Sequence, residues 1–179
     1  MKQYLIFSYN VLNVFDKTVN MTEAQTLEWS ISELAKAMKI GESDVKLYFT
    51  DGRRVSFIIE RRLAYEIVHG KLAASEGAGY DLIDSNGDKW EVRSISNDGI
   101  YFCPSYMVGS GRQFNEEGFL KKLAEIKGYI VADITQFPKI PFWIIPKKDV
   151  KDWWKEGRLG STTKISKNKA LSLIKNNIL

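Results

Sequence analysis

The chain has little of two residue types on which many enzyme sites depend, cysteine and histidine. Cys103 is the only cysteine among 179 residues, which excludes an intrachain disulfide and a zinc site built on several thiolates. Such a chain is typical of a reducing compartment, and we expect a cytoplasmic protein. His69 is the only histidine. Its isolation argues against catalysis by a histidine-assisted nucleophile and leaves carboxylates, lysines and arginines as the available chemical groups.

Long apolar runs are also missing. The first ten residues carry a short apolar stretch that polar residues interrupt, so we expect neither a signal peptide nor a membrane span there. Internal repeats and low-complexity segments are absent from the sequence as well. The protein is therefore expected to have no membrane partner.

What the sequence does contain is enough apolar surface for a folded core. Hydrophobic residues make up 44% of the chain and aromatic residues 12%, which predicts one well-packed domain with at most a small appended subdomain. The net charge is +4, and the region from Lys147 onward holds eight lysines and one arginine against three acidic residues. This local excess fits either a solvated helix face or a surface that contacts phosphates.

The most informative stretch is a hairpin around Asn86 and Gly87, between residues 80–84 and 89–95. A two-residue Asn-Gly loop would place Asp81 and Glu91 on opposite faces of the hairpin. A three-residue loop, with Gly87 in the left-handed conformation, would shift the register by one residue and bring the two carboxylates together. In that register the carboxylates repel unless a cation intervenes, which indicates a divalent metal site. An ordinary hairpin with a solvated acidic face is the alternative.

The first third of the chain is more ambiguous. Residues 3–16 are predicted to form a helix, and a capping box with helically spaced apolar residues predicts another helix over residues 22–39. Residues 31–45 faintly resemble a helix-turn-helix. However, apolar residues alternate on both sides of Asp51-Gly52, which predicts a β-hairpin over residues 45–59 instead. A DNA-recognition helix in this segment remains the alternative.

The rest of the chain alternates clearly between helices and strands. A helix is expected over residues 60–72, where Glu66 lies beside the apolar stripe, and a third strand over residues 99–103. Asn115 caps a further helix that ends near Gly128. Two buried strands and two closing helices follow, at residues 129–134, 142–145, 150–156 and 166–176.

The element order over residues 60–147, together with Asp81 and the Glu91-Val92-Arg93 tripeptide across a hairpin, resembles the restriction-endonuclease-like nucleases of the PD-(D/E)xK superfamily. The resemblance implies an α/β fold with a helix-strand-strand-strand-helix-strand-strand core, whose mixed central sheet is flanked by helices. It also implies that Asp81, Glu91 and the carbonyl of Val92 bind Mg²⁺, which takes oxygen ligands, and that Glu66 is an outer acid.

The sequence departs from that superfamily pattern at two positions. Tyr80 stands where the name of the motif has proline, and Arg93 stands where it has lysine. A guanidinium keeps its proton at physiological pH, so Arg93 can polarise a phosphate or water but cannot act as a base. Either Arg93 acts electrostatically, or Lys89 on the same face substitutes for it, or the site is weakened. We favour the electrostatic role.

The resulting prediction is a type II restriction-like endonuclease that hydrolyses double-stranded DNA with Mg²⁺, or with Mn²⁺ in its place, as a homodimer. Residues 1–59 would form an N-terminal helical and hairpin subdomain for dimerisation or DNA contact, and residues 60–179 the nuclease core. The alternatives are a helix-turn-helix regulator that uses residues 31–56, and a nuclease fold with an inactive site. The side chains expected to contact phosphates are Arg53, Arg54, Arg61, Arg62, Arg112, Lys147, Lys148 and Lys151.

Overall fold

The computed structural model describes residues 24–176 except 39, 51, 76, 77 and 110, and it leaves the side chains of 52–54 undescribed. The helix predicted over residues 3–16 lies outside this part of the chain. The strands are β1 (Gln25–Glu28), β2 (Lys71–Leu72), β3 (Leu82–Ile83), β4 (Lys89–Ile95), β5 (Ile100–Tyr101), β6 (Gly128–Asp133), β7 (Lys139–Pro146) and β8 (Lys164–Ile165). The α-helices are α1 (Ile31–Met38), α2 (Glu42–Thr50), α3 (Gly52–Arg62), α4 (Glu116–Glu125), α5 (Lys147–Lys155) and α6 (Lys167–Asn176).

The fold is α/β, with a six-stranded mixed sheet at its centre. The strand order is β1-β7-β6-β4-β3-β2, in which β4 and β6 run parallel and the other neighbouring strands are antiparallel. The connection from β4 to β6 carries α4, as a parallel pair requires a crossover. The general α/β prediction is therefore confirmed, whereas the specific restriction-endonuclease core stays a prediction.

Strand β6 explains why the core has two sides. All six of its residues are buried, and their side chains alternate between two hydrophobic clusters. Tyr129 and Val131 belong to the cluster that includes residues of α4, α5 and α6. Ile130 and Ala132 belong to the cluster that includes residues of α1, α2 and α3. Helices thus cover both faces of the sheet, which is why β6 reads as a continuous apolar run.

The hairpin prediction for residues 45–59 was wrong, because these residues form α2 and α3. Val45 and Phe49 are buried at helical spacing, whereas Leu47 and Phe57 are apolar but exposed. These two exposed apolar residues created the alternation that imitated strands. The helix predicted over residues 22–39 was also wrong in its first half, since residues 25–28 form β1 and pair with β7.

Later elements agree better with the sequence. The helix expected at 60–72 exists but is displaced, because α3 continues as a π-helical turn over Leu63–Ile67 and residues 71–72 form β2. The third strand, β5, pairs with β8 in a separate two-stranded sheet rather than joining the central sheet. Asn115 caps α4 by accepting a hydrogen bond from the Gly118 amide at 2.8 Å, as expected. Strands β6 and β7 and helices α5 and α6 occupy the predicted segments.

The predicted boundary between residues 59 and 60 falls inside α3. Side chains from both sides of it, Ile59 and Leu63, belong to the same hydrophobic cluster. Among the described residues, no helix combines the length and the hydropathy that a membrane crossing needs.

Candidate functional site

The hairpin between β3 and β4 has the three-residue loop that brings its acidic residues together. Gly87 has a φ of +84°, in the left-handed region that favours glycine. Its amide donates to the Asp84 carbonyl at 3.1 Å, and the Asp84 amide donates to the Asp88 carbonyl at 2.9 Å. Leu82 pairs with Trp90, as the longer loop predicts. Of the two loops that the sequence allows, the structure therefore has the three-residue loop, which is the register that the metal-site interpretation requires.

Asp84 explains why the loop folds this way. One of its carboxylate oxygens accepts hydrogen bonds from the amides of Asn86 and Asp88, at 2.8 and 3.0 Å. The other accepts from the indole N–H of Trp90 at 2.9 Å. Hydrogen bonds from loop amides to a nearby aspartate carboxylate form an Asx turn, which stabilises hairpin loops of this kind. The loop is therefore held by a side chain that does not face the acidic pair.

The carboxylates of Asp81 and Glu91 lie on the same side of the hairpin and share Arg93. The guanidinium contacts Glu91 Oε1 at 2.5 Å and approaches Asp81 Oδ2 to 3.9 Å. Asp81 Oδ2 also accepts the Val92 amide at 2.7 Å. Glu91 is buried, and Lys122 from α4 contacts its second oxygen. Two carboxylates are thus opposed by two cations.

Arg93 also contacts the carbonyl of Val92, which the superfamily resemblance implies as a third metal ligand. Its Nη1 donates to the Val92 carbonyl at 2.9 Å, and its Nη2 donates to the Cys103 carbonyl at 3.1 Å. Although burial lowers the pKa of Arg93, the charges of Glu91 and Asp81 raise it by more, so the net shift is upward. The guanidinium remains charged and acts as a fixed counter-ion.

Asp81 is the less compensated of the two acids. Burial raises its pKa, and the negative charge of Glu91 raises it further, whereas Arg93 and the Val92 amide act in the opposite direction. The net shift is upward. A carboxyl in this position binds a proton more readily than an exposed aspartate does.

Glu60, rather than Glu66, is the helix acid at this site. Glu60 lies on α3 and lines the same cleft as Asp81 and Glu91. Burial, followed by the charge of Asp81, raises the pKa of Glu60 from 4.5 to about 7. The structure places Glu66 elsewhere: it accepts from Arg62 Nε at 2.9 Å and lies outside the cleft lining. The wrong hairpin prediction for residues 45–59 hid Glu60, because it made Glu60 the first residue of the predicted helix, whereas α3 begins at residue 52.

Lys122 is the second residue that the sequence prediction missed. Its Nζ donates to the Gly79 carbonyl at 2.6 Å in addition to contacting Glu91. The signal was available, since Lys122 occupies the helical stripe formed by Phe119, Leu123 and Ile126. A lysine within the inner stripe of an amphipathic helix needs a buried partner, and Glu91 is that partner.

Lys89 does not reach the acids. Its ammonium lies 4.8 Å from the centre of the Tyr80 ring, and the cleft lining does not include it.

Arg62 pairs with Glu66, donates to the Glu28 carbonyl at 2.9 Å and lies over Trp29. Its contacts therefore tie α3 to β1 and leave it outside the cleft.

Only one of the predicted phosphate contacts with a described side chain, Arg61, lines the cleft. Arg112 donates to the carbonyls of Ser105 and Val108 and so closes its own loop. Three lysines lie on α5, outside the lining, and among them Lys148 pairs with Asp152 at 2.6 Å. They are Lys147, Lys148 and Lys151. The side chains of Arg53 and Arg54 lie outside the described part of the structure.

The acidic pair opens into a cleft of about 1460 Å³ between α3, the hairpin and α4. Exposed Lys121 and Lys164 line it together with Arg61. Two further acids, Asp98 and Glu125, line it as well. The cleft is therefore large enough for a polymer segment and balanced in charge, with its buried ion pairs on one wall.

The donor set suits Mg²⁺ in chemical type. Asp81, Glu91 and the Val92 carbonyl offer oxygen atoms only, which are the ligands this hard cation takes. Within the described residues, no group of three or more histidine, cysteine, aspartate or glutamate side chains is arranged to hold a metal. Two side chains and one carbonyl are the available set, and Arg93 and Lys122 contact it. Any metal held by these oxygens would therefore lie beside two fixed positive charges.

Comparison with known proteins provides no further guide to function. No family model, curated protein or solved structure matches the chain. The chemistry of the cleft is therefore the basis for a functional proposal.

Proposed function

We propose that this protein is a Mg²⁺-dependent endonuclease that hydrolyses phosphodiester bonds of double-stranded DNA as a homodimer, in the manner of a type II restriction enzyme. The observation that carries the proposal is the convergence of Asp81, Glu91 and the Val92 carbonyl on one cleft, through the hairpin register. Mg²⁺, or Mn²⁺ in its place, would be held by these oxygens and would supply a bound water and charge neutralisation at the phosphate.

The protein's own residues have distinct roles in this proposal. Arg93 stays protonated and orients a phosphate oxygen, since its guanidinium already lies beside both carboxylates. Lys122 holds the carboxylate of Glu91 in position through its contact from α4. Glu60, whose pKa is raised to about 7, is the group in the cleft best suited to accept and return a proton near neutral pH.

The decisive experiment is a cleavage assay on diverse plasmid and phage DNA with Mg²⁺ or Mn²⁺, followed by mapping of the ends. We expect cutting by the parent and loss of cutting in Glu91→Ala. Glu66→Ala is the matched control, because Glu66 lies outside the cleft lining, and it should cut like the parent. Uncut DNA with the parent, or equal cutting by Glu91→Ala, would remove the nuclease proposal.

A non-catalytic DNA-binding protein is the second candidate, because residues 42–50 and 52–62 are helical. In this alternative, α2 would be the recognition helix of the segment 31–56. Its first turn carries Glu42 and Asp44, however, and acidic side chains oppose the phosphate backbone. A variant Lys46→Ala, at an exposed position of this helix, would weaken DNA binding under the alternative and leave it unchanged under the nuclease proposal.

The third possibility is a nuclease fold that binds DNA without cutting it. Calorimetric titration of metal into the parent and into Asp81→Asn separates this case. Metal binding that Asp81→Asn weakens supports the active site. Tight DNA binding without any metal binding supports the inactive fold.

A further inference from the structure

The walls of the cleft carry aromatic rings that are unusually exposed. Phe57 on α3 is 58% exposed, and Tyr106 in the 3₁₀ turn Ser105–Met107 is 63% exposed. Both line the cleft that contains Asp81 and Glu91. They come from different sides of the sheet, because α3 packs on one hydrophobic cluster and the turn packs on the other through Met107.

Cations accompany the aromatic rings of this cleft. The guanidinium of Arg61 lies 3.3 Å from the centre of the Phe57 ring. The ammonium of Lys164 lies 5.1 Å from the centre of the ring of Tyr101, which also lines the cleft. The cleft thus holds rings, which can contact bases, and cations, which can contact phosphates, at the same site.

This arrangement discriminates between forms of DNA. A continuous duplex presents phosphates and groove edges, while its bases stack on one another and leave no face for a protein ring. Unpaired nucleotides present a free π-face, and every base can use it. The charge of the cleft is balanced by Asp98 and Glu125, so attraction to phosphates alone does not favour a nucleic acid there.

We propose, on the basis of the proposed endonuclease function, that the cleft recognises DNA through unpaired nucleotides, whose bases stack on Phe57 and Tyr106. Of the duplex substrates of the proposed endonuclease, those with a single-stranded segment are then preferred, and the unpaired part lies across the acidic pair. The aromatic rings select the unpaired segment, and Arg61 and Lys164 contact its phosphates.

The test measures binding separately from cleavage. Fluorescence anisotropy in a chelating buffer measures the affinity for three labelled DNAs. These are a poly-dT strand, a blunt duplex and the same duplex with a single-stranded tail. We expect the tailed duplex and the single strand to bind about tenfold more tightly than the blunt duplex. Equal affinity for the blunt and tailed duplexes would overturn the inference.

Variants assign the preference to the rings. Phe57→Ala and Tyr106→Ala should each reduce the tenfold preference to about twofold to threefold, whereas Tyr106→Phe should retain it because the ring remains. Tyr65→Ala is the matched control, since Tyr65 is 59% exposed but lies outside the cleft lining. If Tyr65→Ala reduces the preference as much as Tyr106→Ala, stacking in the cleft is excluded.

The outcome is distinguishable from failure of the proposed function. If the preference for tailed DNA depends on Phe57 and Tyr106 but no DNA is cleaved in Mg²⁺, the binding inference holds and the endonuclease proposal fails. If blunt and tailed DNA are cleaved and bound equally well, the endonuclease proposal holds and the binding inference fails. If Phe57→Ala and Tyr106→Ala instead change the oligomeric state and leave DNA binding intact, the rings serve contact between copies of this chain and the inference also falls.

Discussion

Two glutamates of this protein each pair with an arginine, and the two pairs differ in their burial and in their position relative to the cleft. Glu66 lies on the surface and pairs with Arg62 one helical turn away. Glu91 is buried and is held by Arg93 from its own strand and by Lys122 from a helix on the same side of the sheet. The first pair is local, whereas the second requires the fold to assemble. Only the second lies in the cleft, so burial and long-range contact distinguish a candidate site from a helix-surface pair.

The largest effect that would separate the two pairs is on stability. Glu91→Gln should lower the free energy of unfolding by about 4 kcal/mol, because it leaves buried Lys122 without a counter-charge and leaves Arg93 with Asp81 alone, 3.9 Å away. Glu66→Gln should cost about 0.5 kcal/mol, as exposed pairs do. Urea denaturation of the parent and both variants measures this. Similar losses in both variants would mean that the Glu91 contacts are no more than a surface-type pair.

A smaller effect is expected from the helix partner of Glu91. Lys122→Met should cost about 2 to 3 kcal/mol, since it leaves the Gly79 carbonyl unpaired and removes one charge from Glu91. Lys121→Met is the matched control, because the neighbouring lysine is exposed and should be nearly silent. Equal unfolding midpoints for the two variants would contradict the contact between α4 and β4.

Glu60 predicts a pH dependence that Glu66 lacks. Its pKa is raised from 4.5 to about 7 by burial and by Asp81, so protonation favours the folded state. That stabilisation is complete below about pH 4.5 and is lost as the pH rises through about 7. We expect a difference of about 1 to 2 kcal/mol, less than the full shift implies, because solvent screens this partly exposed carboxyl.

Glu60→Gln should remove this component of the pH dependence, and Glu66→Gln should preserve it. The measurement is the urea denaturation midpoint at several pH values between about 4.5 and 7, with the midpoint of the variant subtracted from that of the parent. A parent and a Glu60→Gln variant with the same slope would show that Glu60 has no raised pKa.

The smallest effect is expected at the exposed pair on α5. Lys148 does not contribute to the core, because it pairs with Asp152 on the surface of the same helix. Asp152→Asn should leave the unfolding midpoint unchanged within error, as should removal of Lys148. A clear loss of stability in Asp152→Asn would mean that surface ion pairs stabilise this protein. The difference between the surface pairs and the buried Glu91 pairs would then be contradicted.

The hairpin was predictable because its information is local. Ser85, Asn86 and Gly87 predict a hairpin with either of two loops, and their neighbour Asp84, which accepts the amides of the loop, holds the three-residue one. Buried strands β6 and β7 were predictable for a similar reason, since their apolar runs are continuous and are bounded by turn residues. In these segments, neighbouring residues are sufficient to determine the structure.

The N-terminal segment was not predictable in the same way. The residues of β1 have helical spacing, but pairing with β7 determines their conformation. In α2 and α3, exposed Leu47 and Phe57 imitated strand alternation. Tertiary contacts decided both cases, and no window of sequence contains them. The same applies to Glu60. The burial of Lys122 could be read from the inner stripe of α4, but its contact with Glu91 depends on which helix covers the hairpin.

The crossover that carries Lys122 has a consequence for the order of assembly. The contact between Glu91 and Lys122 closes a loop of 31 residues, whereas Asp81 and Glu91 meet through a hairpin that forms locally. Long loops close later, because their entropy must be overcome before the contact is made. During folding, the two carboxylates therefore face each other with Arg93 as their near cation, and Lys122 completes the neutralisation when the parallel pair β4 and β6 forms. We expect refolding to be faster when added salt screens the early repulsion.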